Sequence, residues 1–399
     1  MMKFRLCRLI SLAVITPGLV FAHGNASRPA FNEDGRAIQF PDTASHMTLV
    51  VDLHTHSVFS DGHVWPYIRV GEAIRDGLDA MAVTEHLEWQ PHIADIPHPD
   101  RNRSYHETMA SIPEGEDLII IAGSEITRRA PHGHMNAVFI EDANALFSVD
   151  NASSFTDPGK FYDAAREWPA ENAVDAANNQ GAFVFWNHSW SDFDNAKTVI
   201  TDFHRQAAID GKLHGIEIAN GATYSLESFQ IAIDHGLTPI GVSDVHNLID
   251  WDHEPHNGGH RPVNLVFTEE RSGEAIKEAL MAGQTVVWYR NLLLGLPEHI
   301  QPLLEASLQL TGARYLSDYP GVLEVTFNNH SDATFELENL TSMTPVRSGN
   351  VLEVQPHSES RFLLRTDSRA LSGELQFRVQ NALTAPDQAA EMSFNYRVN

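Results

Sequence analysis

The sequence predicts an α/β barrel followed by a small all-β sandwich, and three observations predict it. From about residue 47 to 290, short apolar runs alternate with amphipathic stretches of helical period. Histidines and carboxylates recur where those apolar runs end. After about residue 295 the helical period stops, and short alternating runs separated by Asn, Asp, Ser, Gly and Pro take over. At 399 residues the chain also exceeds one core, since α/β barrels run to about 250 residues.

Residues 1–22 read as a secretory signal. Lys3, Arg5 and Arg8 make a basic start, Leu9–Val20 an apolar centre, and Val20-Phe21-Ala22 a small-residue cleavage site. The apolar run is shorter than the ~20 residues that span a bilayer. A periplasmic or secreted protein with no anchor after cleavage is therefore expected. Residues 23–46 show no sustained periodicity and read as a linker.

The barrel is expected over residues 47–295. Its clearest unit is Pro66–Asp76, where proline suits the first helical turn and Gly77 the C-terminal cap, followed by a strand at Leu78–Val83. The same order recurs in Ser225–His235, Gly236 and Pro239–Ser243, and in Gly273–Ala282, Gly283 and Thr285–Tyr289. Strands and helices alternating at this spacing imply a parallel sheet, and seven to nine such strands imply closure. The β-domain is expected over residues 300–399, from runs at Leu323–Asn328, Phe335–Leu340, Val351–Gln355, Arg361–Arg365, Glu374–Gln380 and Met392–Val398. It could bind carbohydrate, pair with another subunit or cap the barrel; core packing alone accounts for its pattern.

The only cysteine, Cys7, lies in the leader, so metal ligands of the mature chain must be N and O donors. Loss of Lys3, Arg5 and Arg8 takes the formal charge from −26 to −29. Such a surface repels polyanions, which argues against docked nucleic acid as a partner, and a charge that merely keeps an exported protein soluble fits the same number.

The site residues stand at strand ends. His54-Thr55-His56 closes Leu49–Leu53, with Asp61 and Gly62 after it; His86 follows Leu78–Val83 and Glu125 follows Leu118–Ile121. His134 opens Met135–Ile140, His188 follows Ala182–Trp186, and Asp244-Val245-His246 follows Ile240–Ser243. Carboxyl ends of parallel strands share one face, so these residues converge on one pocket able to hold a cluster of metal ions. His98, His106, His204, His235, His253, His256 and His357 lack such neighbours and read as ordinary core or surface histidines.

The ordered motifs resemble the polymerase-and-histidinol-phosphatase (PHP) superfamily of metal-dependent phosphoesterases. They are His54-Thr55-His56 with Ser60-Asp61-Gly62, Thr84-Glu85-His86, Gly123-Ser124-Glu125, Gly133-His134-Met135-Asn136, Asn187-His188, Ile216-Glu217-Ile218 and Ser243-Asp244-Val245-His246. The resemblance covers roughly residues 48–290. It implies a distorted (β/α)7 barrel with two to three divalent ions (Mn, Zn or Fe) at its mouth. By that resemblance His54, His56, Glu125 and Asp244 hold one ion, Glu125 bridges to a second held by His134 and His188, and Asp61, His86 and His246 hold a third. Glu85 stands where the family usually has aspartate, and His63 offers an extra donor near Asp61.

Three such ions with Asp61, Glu125, Asp244 and a bridging hydroxide leave a surplus of about two positive charges to attract a phosphate. Metals about 3.5–4 Å apart can generate that hydroxide and stabilise both attacking and leaving oxygens. Arg128 and Arg129 are candidates for phosphate contacts, and His132 and His260 for leaving-group acids. Small organic phosphodiesters are the favoured substrates, because an exported enzyme meets phospholipid head groups, glycerophosphodiesters and nucleotide fragments. A phosphomonoesterase of the histidinol-phosphatase or nucleotidase type is the alternative. An amidohydrolase would usually need a carboxylated lysine at a strand end, and Lys3, Lys160, Lys197, Lys212 and Lys277 occupy no such place. A non-catalytic metal-binding protein would tend to have lost ligands, and all are present here.

Overall fold

A computed structural model describes residues 36–398, apart from 194. The leader lies outside the described residues. Among these residues no helix is long and apolar enough to cross a membrane.

Eight strands build the barrel and its lip: β1 (Met47–Asp52), β2 (Ala80–Val83), β3 (Ile119–Thr127), β4 (His134–Val138), β5 (Phe183–Trp186), β6 (Gly215–Asn220), the short β7 (Thr223–Tyr224) and β8 (Thr238–Val242). The order β1-β2-β3-β4-β5-β6 continues to β8 through a β6–β8 pair. The ring closes just past the strand ends, where Asp244 N donates to His54 O at 2.9 Å and His56 N to Val245 O at 3.2 Å. Seven strands thus close the barrel, as the motifs imply. β2, β5 and β8 are buried along their whole length, which is why they read as unbroken apolar runs rather than alternating ones.

Two departures from regular strand–helix alternation distort it. β4 runs antiparallel to both β3 and β5, because only a tight turn separates it from β3 and a parallel return would need a crossover. The unit read at Gly273–Tyr289 also adds no parallel barrel strand. Its helix, Gly273–Met281, joins β9 (Val263–Thr268) to β10 (Thr285–Tyr289), and these pair antiparallel. β9 takes the free edge of β1 and crosses β8, where the side chain of Asn264 bonds both the amide (2.9 Å) and the carbonyl (2.8 Å) of Gly241 in place of a ladder. Gly241 is required there, since a Cβ would lie 2.3 Å from Val287 Cγ1.

The expected caps form. Pro66 starts its helix, Ser225 Oγ caps the helix Leu226–His235 through Ser228 N, and Gly236 ends it at φ 63°. Residues 36–46, within the stretch read as a linker, lie against the barrel: Ile38 is buried and its amide bonds Asp76 O.

β11 (Leu292–Gly295) hairpins back from β10, and the helix Pro297–Ser307 leads into β12 (Leu308–Tyr315), β13 (Val322–Asn329), β14 (Phe335–Asn339), β15 (Thr344–Pro345), β16 (Val351–Val354), β17 (Glu359–Arg365), β18 (Ser372–Ala385) and β19 (Gln388–Arg397). β12-β13-β17-β15 form one sheet and β16-β14-β18-β19 the other. Phe327, Phe377 and Phe394 pack edge-on between them at 5.0–6.2 Å. This is the sandwich that the alternating runs predict, with β12 and the short β15 added. The second sheet also joins the barrel layer, through parallel pairing of β11 with β18.

Candidate metal centre

Beyond β1 the backbone stays extended, so His54 and His56 project to one side while Thr55 turns away and donates to Ala82 O at 2.7 Å. The two Nε2 atoms stand 2.9 Å apart. β3 brings Glu125, whose Oε2 lies 3.4 Å from each of them. The turn after β8 brings Asp244, whose Oδ1 lies 3.2 and 3.1 Å from them. Four donors around one ion at bonds of about 2.1 Å sit roughly 3.4 Å apart. Both histidine nitrogens stand at that spacing from Glu125, and 2.9–3.2 Å from each other and from Asp244.

The other oxygen of Glu125 serves a second group. Its Oε1 is 2.9 Å from His134 Nδ1 and 3.5 Å from His188 Nε2. A third group forms around Asp61, with Oδ1 3.1 Å from His246 Nε2 and Oδ2 3.4 Å from His86 Nε2. Two of these carboxylate oxygens, Glu125 Oε2 and Asp61 Oδ1, are buried without an aligned hydrogen bond. Buried anionic oxygens are costly unless a cation or donor meets them. Together with convergent imidazole lone pairs, they fit divalent cations held by N and O donors.

A second layer orients the ligands. Glu217, fully buried, takes the Nδ1 side of His54 at 2.7 Å and accepts from His188 N at 2.6 Å. With Nδ1–H given to Glu217, His54 presents an Nε2 lone pair. Asn187 donates to Glu125 Oε1 and Asn220 to Asp244 Oδ2, at 2.9 and 3.0 Å. Arg69 clamps the ring closure, donating to His56 O (2.8 Å) and Val245 O (3.1 Å) while paired with Glu72. Two candidate ligands sit on strained backbone, Asp244 at φ 50° and His188 at φ 22°, conformations that cost about 1–3 kcal/mol each and concentrate at functional sites.

The groups of the cluster shift one another's ionisation. Burial works against a charged His54, but Asp244, Glu125 and Glu217 outweigh it and hold its pKa well above the ordinary value. Burial, with His246 beside it, pushes His56 down to about 3. Burial likewise opposes ionisation of Glu125, yet His86, His54 and His134 hold its carboxyl well below the usual range.

A family model of an Ig-like domain matches residues 308–395, the span of β12–β19. No curated protein matches the chain. Among solved structures, a two-domain protein from Bacteroides vulgatus containing a predicted PHP-like metal-dependent phosphoesterase is 34% identical, with a TM-score of 0.78, over 90% of this chain and 98% of that one. The chain belongs to this PHP-like metal-dependent phosphoesterase family. Two further structures are more distant. One is a proposed metal-dependent phosphoesterase from Bifidobacterium adolescentis, at 19% identity and TM-score 0.36, over 50% of this chain and 88% of that one. The other is an amidohydrolase from Chromobacterium violaceum, at 18% and 0.34, over 49% and 87%. Likenesses at that level carry no weight here.

All nine metal-ligand candidates of this PHP-like chain meet at the barrel mouth: His54, His56, Asp61, His86, Glu125, His134, His188, Asp244 and His246. The four residues considered for substrate contact or proton transfer have other partners. Arg128 is buried and ion-paired with Glu88. Arg129 lies over the Tyr162 ring at 5.7 Å. His132 packs edge-on to Phe203 and reaches Glu171 at 3.6 Å. His260 stacks on Trp288 at 3.4 Å with its ring nitrogens toward backbone carbonyls. His63 bonds Asn247 at 2.7 Å, outside the cluster. Glu85 turns away from the ligands and binds Ser57 and Ser60, fastening the loop that carries Asp61. Gly62 closes that loop on His56, where a Cβ would come within 2.7 Å of backbone.

Proposed function

We propose that the chain hydrolyses small organic phosphodiesters at a centre of two to three divalent ions. His54, His56, Glu125 and Asp244 would hold the first, Glu125 with His134 and His188 the second, and Asp61, His86 and His246 the third. The observation that carries this reading is the division of Glu125, Oε2 toward His54 and His56, with His86 Nδ1 also at 2.8 Å, and Oε1 toward His134 and His188. Divalent cations so placed supply Lewis acidity toward a phosphoryl group and lower the pKa of water; Mn, Zn and Fe suit these donors. The residues do the positioning. Glu217 fixes the tautomer of His54, Thr127 holds Nδ1 of His86 at 2.6 Å, and Asn187 and Asn220 keep both carboxylates from rotating.

Diesters are favoured for two reasons. The acidic surface repels a dianionic monoester more than a monoanionic diester. Arg128, on which a dianion would draw, is committed to Glu88. The test is the ratio of kcat/KM for bis(p-nitrophenyl) phosphate and glycerophosphodiesters to that for p-nitrophenyl phosphate and nucleoside monophosphates. A diester preference is expected; a hundredfold preference for monoesters, about 2.7 kcal/mol of transition-state discrimination, would overturn it.

Export into a phosphoester-rich periplasm or medium belongs to the same reading, supported by the basic start and the Val20-Phe21-Ala22 site. N-terminal sequencing of the exported protein should begin at His23; an intact Met1 in membranes would overturn it.

A further inference from the structure

Beside the turn that carries Asp244, the barrel and the β-domain flank a half-open cleft of about 1010 Å³. It begins one residue past Asn220, at Gly221 and Ala222, next to the turn that carries Asp244. Tyr289 Oη and Arg290 Nη2 both donate to Ala222 O, which ties that edge to the barrel wall. On the opposite side stand Glu336 and Glu353 of the β-domain, and between them the segment that follows His246 supplies Trp251 and Glu254.

The lining is unbalanced in charge. Glu336 and Glu353 are directly opposite one another on β14 and β16, an arrangement of like charges that weakens a strand pair. Among the described residues no Lys, Arg or His pairs with Glu254, Glu336 or Glu353 within ion-pair distance; Arg290 is held at Ala222 and over the Tyr289 ring. A large aromatic face stands over the same space, for Trp251 is 71% exposed. Trp288 in the wall keeps its indole N–H buried and without an acceptor. Uncompensated carboxylates beside an open indole are the elements that recognise an organic ammonium group, through charge and cation–π attraction.

We propose that this cleft is the leaving-group subsite of the enzyme and that it selects amino-alcohol esters, in which a primary or quaternary ammonium group lies a short chain away from the phosphoryl group. Trp251, Glu254, Glu336 and Glu353 determine that specificity. The inference rests on the phosphoesterase reading for its role in turnover, but the binding of the ammonium group stands apart from turnover.

Two measurements on the metal-loaded protein test it. In the first, choline and ethanolamine are titrated against tryptophan fluorescence, with glycerol and calcium as comparators. Choline and ethanolamine should bind saturably, and Trp251→Ala and Glu336→Gln should each weaken binding at least tenfold. Glu336→Gln should also raise Tm in the absence of ligand, because it removes the opposed charges, so a folding defect cannot imitate the result. No saturable binding, equal binding by glycerol, or binding of calcium alone would each overturn the proposal. In the second, kcat/KM for release of choline from glycerophosphocholine is compared with that for release of glycerol from glycerophosphoglycerol. Trp251→Ala should lower the ratio of the first to the second at least tenfold; an unchanged ratio would overturn the subsite. If the protein turns over no ester at all, the phosphoesterase reading fails, and the titration alone still decides the ammonium site.

Discussion

Glu217 Oε1 lies 2.7 Å from Nδ1 of His54 with both side chains fully buried, so a carboxylate that touches no other candidate ligand side chain sets which nitrogen His54 offers. Its second oxygen receives the His188 amide and Asn220, which links two ligand groups through one buried anion. Glu217→Gln keeps the shape but places an amide N–H₂ where donors already point. Metal affinity should fall about 10–100-fold, the usual cost of losing such a partner, with little change in secondary structure. Competition with a fluorescent chelator measures it. Unaltered affinity would mean that Glu217 serves the fold alone.

Arg128 is expected to act through stability. Its ion pair with Glu88 is buried, and removing one partner of such a pair costs about 3–5 kcal/mol by leaving the other charge uncompensated. Arg128→Met should therefore lower the unfolding free energy by that order, and the Arg128→Met, Glu88→Gln double variant should recover part of it. Denaturant titration decides the matter. A stable Arg128→Met protein with a selective rise in KM would return this residue to substrate binding.

Acid should destabilise the protein partly through His204. Its ring lies flat on Trp186 at a centroid distance of 3.7 Å, and burial pushes its pKa down to about 3 from an ordinary 6.5. The unfolded chain takes up a proton below about pH 6.5 that the folded one refuses until about pH 3. The stabilising contribution is therefore complete above 6.5 and lost as pH falls through that window, by about 2 kcal/mol between pH 6.5 and 5. Against wild type, His204→Phe should show a flatter decline of stability over this range. Parallel curves would contradict the assignment.

The convergence of the candidate ligands was legible because parallel strands place their carboxyl ends on one face, so position at or near a strand end collects His54, His86, Glu125, His188 and Asp244. Glu217 carried a weaker signal. It is a carboxylate between Ile216 and Ile218 inside a strand buried up to its last residue, and an isolated buried acid needs a partner, but nothing local says which histidine. The Glu88–Arg128 pair is 40 residues apart and depends on how the segment after β2 folds back, which periodicity does not encode. The antiparallel course of β9 and β10 was hidden for a similar reason. The helix between them has the caps and length of a crossover helix, and only tertiary contacts such as Asn264 on Gly241 decide its direction.

The central claim is that one carboxylate, Glu125, couples two metal positions. The direct measurement is the metal content of purified Glu125→Gln protein by elemental analysis, beside wild type and Asp61→Ala. Glutamine at 125 should empty the first and second positions together and abolish turnover, while Asp61→Ala should deplete chiefly the third. Full metal content in the Glu125→Gln protein would contradict the account.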